Sequence, residues 1–86
     1  MIPLTRLEGF FHVNGRPLAS VNSGIPAVEA LERASCILSA VVDLATNAVD
    51  EGVLGSEAFA IQCLSEVAKA LVDAAATGQL TGDGSQ

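Results

Sequence analysis

The sequence predicts an all-α protein: an antiparallel two-helix hairpin with an extended or β-hairpin-like N-terminal arm, dimerising into a four-helix bundle. Three observations lead there. Residues 26 to 50 form one long amphipathic stretch with a marked start and stop, residues 57 to 77 form a second, and the connection between them, Val53-Leu54-Gly55, is short. Short links between helices force antiparallel neighbours. The organisation that follows is an arm over residues 1–22, a helical hairpin over 23–77 with helices at about 26–51 and 57–77, and a disordered tail over 78–86.

The arm is the least regular part. Residues 1 to 9 have no hydrophobic periodicity and read as disordered or loosely docked. Residues 10 to 21, FFHVNGRPLASV, place Asn14-Gly15 between two extended-looking runs. Asn-Gly is the strongest short hairpin signal because both residues accept φ > 0. Pro17 counts against a hairpin, since it donates nothing to a ladder and has to lie on an outward edge. An extended arm packed on the helices is the alternative. Asn22-Ser23-Gly24 is a turn leading into the first helix.

That helix begins at Ile25-Pro26, where proline suits the first helical position and displaces the residue before it from the helical region. Glu29 lies near the positive helix end, and Glu51-Gly52 supplies a glycine able to cap the C-terminus. Two apolar stripes run between these ends. One is Val28, Leu31, Ser35, Leu38, Val42, Ala45 and Val49, at alternating intervals of three and four; beside it runs Ala34, Ile37, Val41, Leu44 and Ala48. An arc this wide exceeds what one neighbouring helix covers, so the helix should be buried on two sides.

Ser56 is a good N-cap for the second helix, with Glu57 in its first turn. Its stripes are Ile61, Leu64, Ala68, Leu71, Ala75 and Ala60, Cys63, Val67, Ala70, Ala74. Gln62, Glu66, Lys69 and Asp73 line the opposite face, where Lys69 can pair with Glu66 or Asp73 on a solvated surface. Gly78 ends the helix and a polar tail follows. A lone hairpin would bury one stripe of each helix, whereas pairing two hairpins covers both. Val28, Leu31, Leu38, Val42, Ile61, Leu64, Val67 and Leu71 are therefore the expected dimer and core contacts.

Composition narrows the functions. Half of the 86 residues are apolar, tyrosine and tryptophan are absent, and the net charge is −6. With no run of Lys or Arg, the chain is poorly suited to a phosphate backbone, and a basic protein suits it better than nucleic acid. No stretch reads as a signal peptide or a membrane span, so a cytoplasmic location is expected. In a hairpin turning near residue 53, Cys36 and Cys63 are offset by roughly eight residues, or about 12 Å. A disulfide tolerates about 7 Å between Cα atoms, so two free thiols are expected.

The run Leu18-Ala19-Ser20-Val21-Asn22-Ser23-Gly24-Ile25-Pro26, then Ala30-Leu31-Glu32-Arg33-Ala34-Ser35, then Glu66-Val67-Ala68-Lys69-Ala70-Leu71-Val72, resembles a family of short pseudomonad, hence bacterial, proteins catalogued as a domain of unknown function. The likeness spans roughly residues 18 to 76. That family often carries an aromatic where Ala19 stands and a proline where Ser23 stands, so this chain departs just before the first helix. The resemblance implies no activity.

No chemically competent site emerges. His12 is the single histidine, too few for a metal site and too isolated to serve Cys36, Cys63 or a serine as a base. Glu29, Glu32, Asp43, Asp50, Glu66 and Asp73 fall on polar helix faces, with no burial to raise a pKa. Neither glycine-bearing segment lies between a strand and a helix as a phosphate loop must. The expectation is a non-enzymatic homodimeric protein–protein interaction module with no cofactor, metal or catalytic residue. The alternatives are a ribbon-helix-helix-like nucleic-acid regulator, in which the strands of a dimer pair to read a groove, and a carrier of a small ligand in the bundle core.

Overall fold

A computed structural model describes residues 2–52 and 54–80 of the chain. In order the elements are β1 (Pro3–Leu4), β2 (Glu8–Val13), β3 (Arg16–Val21), α1 (Ala27–Glu51), α2 (Gly55–Ala76) and β4 (Gln79–Leu80). The fold is α+β. This corrects the all-α expectation of a helical hairpin closing into a four-helix bundle: the arm is a true antiparallel hairpin, and a second pair of strands joins β1 to β4.

The hairpin forms because Asn14 and Gly15 both take positive φ, 53° and 78°, the condition for a two-residue turn that matches strand twist. Val13 pairs with Arg16 and His12 with Pro17. In such a ladder hydrogen-bonded and non-hydrogen-bonded pairs alternate, so His12↔Pro17 is a pair without ladder bonds and the proline nitrogen points away from β2. Pro17 is accommodated on an edge strand for that reason. The ladder skips one position, because Phe11 has φ 57° and is not paired with Leu18. Its N–H donates instead to Glu66 Oε2 on α2, at 2.7 Å.

Residues 2 to 9 are not a loose leader. Thr5 is 3% exposed, and its N–H donates to the Ile25 carbonyl at 2.7 Å. Its hydroxyl donates to the Asn22 carbonyl at 2.7 Å and accepts the Ile25 N–H at 3.1 Å. Thr5 thus satisfies the turn that launches α1. Next to it the Arg6 N–H donates to the Ala74 carbonyl at 3.1 Å, one of the last-turn acceptors of α2 that helix geometry leaves unpaired. Leu4 pairs with Gln79 and Pro3 with Leu80, so the arm clasps both the start of α1 and the end of α2. Gly78 sits under this clasp: a Cβ there would lie 1.8 Å from the Leu4 carbonyl oxygen.

The helix boundaries differ slightly from expectation. Pro26 is the N-cap (φ −53°, ψ 129°), held extended by its bridge to Leu4, and the helix starts one residue later. Gly52 ends α1 with φ 84° and its N–H on the Ala48 carbonyl, as anticipated. α2 starts before Ser56: Leu54 is its N-cap, and the Glu57 carboxylate accepts the Leu54 N–H at 3.2 Å. Gln79 and Leu80, expected in the tail, form β4; the rest of that tail, residues 81–86, lies outside the described residues.

The helices meet through small side chains. Ala27, Ala30 and Ala34 of α1 and Ala68, Ala70 and Ala74 of α2 are buried, and no large side chain is fully buried among the described residues. The Cα atoms extend 51 × 30 × 12 Å, whereas those of a single helix span about 5 Å across, so the thin dimension holds the helix pair and the hairpin laid on it.

Candidate interaction surface

α1 presents its two apolar stripes to different surroundings. Ala34, Ile37, Val41, Leu44 and Ala48 are buried or half-buried on the side of α1 that meets α2. The other stripe, Val28, Leu31, Ser35, Leu38, Val42, Ala45 and Val49, is exposed along its whole length. Leu38 retains 43% of its accessible surface, Val42 61% and Val49 84%. From Val28 to Val49 the stripe runs about 32 Å.

The hairpin leaves this face bare. β2 packs against α2, and Val21 of β3 borders an open cleft of about 670 Å³ with Glu29, Arg33 and Cys36, away from the exposed stripe. The stripe itself borders a different open groove of about 440 Å³, floored by Leu31, Leu38 and Val42 and flanked on α2 by Val72, which is 37% exposed. No residue of β2 or β3 lines it.

The eight expected contact residues therefore divide. Val28, Leu31, Leu38 and Val42 lie together on the open face of α1; Ile61, Leu64, Val67 and Leu71 are half-buried within the chain, on α2. Val72 joins the first group and was not signalled by the sequence, because it lies beside the Ile61–Ala75 stripe of α2 and on neither stripe. Leu7, Leu18 and Phe59 are also exposed, scattered over the arm and the start of α2.

The polar residues are arranged for structure. Glu29, Glu32, Asp43 and Asp50 are exposed as expected, but Glu66 and Asp73 are half-buried beneath the hairpin, which corrects their placement on an open solvated face. Glu66 accepts the Phe11 N–H. Asp73 Oδ2 accepts from Lys69 Nζ at 2.7 Å, and that hydrogen bond, reinforced by the carboxylate charge, holds the Lys69 ammonium above its ordinary pKa. His12 is exposed; Cys36 is an exposed free thiol and Cys63 a half-buried one. Among the described residues no group of three His, Cys, Asp or Glu could hold a metal ion, and no helix is long and apolar enough to cross a membrane.

Comparison with known proteins places this geometry in a family. The model of the family described as protein of unknown function DUF3077 matches residues 6–78. The chain belongs to this family. The match extends from the arm residue that caps α2 to the glycine beneath the clasp, so the DUF3077 unit takes in the hairpin as well as both helices. No curated protein and no solved structure matches the chain.

Proposed function

We propose that this DUF3077 protein is a homodimeric protein–protein interaction module that associates through the bare face of α1. The observation that carries the reading is the unbroken apolar stripe of α1, whose groove neither strand of the hairpin lines. Stable domains bury an apolar helix face against a second layer, and here the second layer is missing from one side of the helix pair.

A second copy is the partner that this chain always has at hand, and a self-complementary apolar stripe suits a two-fold interface. The acidic remainder of the surface, with a net charge of −6, then suits a basic protein as a further partner. Nothing in this reading calls for catalysis or a cofactor, and the cytoplasm is the compartment in which two free thiols are at home. The ribbon-helix-helix alternative needs a cationic strand that pairs with a second copy, whereas Arg16–Val21 offers Arg16 alone as a cation and carries on its open edge Pro17, which has no N–H to donate. A ligand carrier needs a roomy interior, and the helices here meet through alanines.

Sedimentation equilibrium tests the proposal. The protein is expected to sediment as a dimer at micromolar concentration. Leu38→Asp should weaken association about a hundredfold or more, because it puts an unpaired carboxylate into the apolar contact. A monomer for the unsubstituted chain at that concentration would overturn the reading.

A further inference from the structure

Resting on that homodimer, we infer that the second copy docks with its α1 antiparallel to the first, in the register that sets Ser35 against Leu38 of the second copy. The exposed stripe is a heptad seam: Val28, Leu31, Ser35, Leu38, Val42, Ala45 and Val49 recur at alternating intervals of three and four over three heptads. Two of its seven positions are small, and they decide the direction. In a parallel pairing each residue meets its own counterpart, so Ser35 faces Ser35 and Ala45 faces Ala45, leaving two thin layers between bulky ones. Interiors pack densely and such gaps are unfavourable.

The antiparallel pairing removes them. With the two-fold between residues 36 and 37, Leu38 of one copy packs on Ser35 of the other, Val28 on Ala45, and Leu31 on Val42. Large meets small or medium in each of these layers, which is how facing layers interdigitate, and Val49 lies beyond the overlap of the two helices. No like-charged pair is forced along the seam: the flanking positions on the open side are Glu32, Ser39 and Thr46, and Glu32 falls beside Ser39 of the second copy. The helix dipoles also oppose, where parallel docking would align them. The hairpin offers no obstruction, since β2 and β3 line none of this groove.

Spin labels placed one at a time on Cys36, on Asp43→Cys and on Asp50→Cys give a direct reading. All three positions are exposed and lie off the seam. Cys63→Ala is carried throughout, and Cys36→Ser in the last two. Moving a label one residue from the two-fold changes its axial offset from its mate by about 3 Å, giving axial offsets of about 2, 20 and 40 Å. The inter-label distance measured by double electron–electron resonance should therefore lengthen in the order 36, 43, 50. Equal distances at the three positions would show parallel docking and overturn this inference while leaving the dimer intact. Any other order in a sedimenting dimer would place the contact in another register or off this seam and overturn it too. Absence of inter-chain coupling together with a monomeric mass would remove the homodimer as well.

Discussion

At the scale of single residues, Thr5 and Gly78 hold more of the fold than their size suggests. Thr5 is the only buried polar side chain among the described residues, and its hydroxyl both donates to the Asn22 carbonyl and accepts from Ile25 N–H. Thr5→Val keeps the shape, removes both bonds and strands a backbone donor and acceptor; unfolding in urea should show a loss of about 1–3 kcal/mol. Thr5→Ser keeps the hydroxyl and should lose less. Gly78→Ala puts a methyl into the Leu4 carbonyl, a backbone atom tied into the β1–β4 pair and unable to swing aside. A loss of about 1–3 kcal/mol is expected from overpacking, read as a lowered denaturation midpoint with unchanged slope. Neither role could be found in the sequence: a threonine in an aperiodic leader and a glycine after a helix have common explanations, and the contacts that single them out are non-local, 17 and 20 positions along the chain for Thr5 and from Gly78 back to Leu4 for the glycine.

At the scale of elements, the local signals were legible and the long-range ones were not. The span of α1, its glycine stop and its two stripes follow from spacing alone, and so does the turn at Asn14-Gly15, where both residues take the positive φ that this pair favours. Asp73 and Glu66 were misplaced on open water because helical periodicity does not record that a strand lies across them. That strand is anchored at one unusual point. Phe11 leaves the ladder at φ 57°, a conformation that is unfavourable by about 1–2 kcal/mol for a residue with a Cβ. The charge-assisted bond from its N–H to Glu66 offsets this. Glu66→Ala leaves the Phe11 N–H without its acceptor and should loosen the hairpin from α2. The expected result is faster amide exchange at Phe11 and its neighbours with helical circular dichroism unchanged; an unaltered exchange rate at Phe11 would show that the bond does not anchor the hairpin.

At the scale of the whole molecule, thinness is the governing property. Two thin layers whose Cα atoms span 12 Å enclose little interior, and among the described residues six alanines and one threonine are the buried ones. The breadth of the apolar arc on α1 was readable from the sequence, whereas its expected burial on two sides is met within the chain on one side alone. That an N-terminal hairpin would roof the helix pair on one side and spare the other was not readable there. If a second copy supplies the missing cover, the melting temperature should rise with protein concentration, since mass action favours the associated folded state; a melting temperature constant over a hundredfold range of concentration would contradict it. The clasp adds a constraint of a different kind, on order in time. Because Leu4 and Arg6 find their partners at Gln79 and Ala74, the first strand waits on a ribosome until nearly all of the described chain has been made. The hairpin, α1 and the closure of Thr5 onto Asn22 and Ile25 can take shape as they emerge, but the contacts of Leu4 and Arg6 wait for the end of α2, so the clasp settles after the elements it joins.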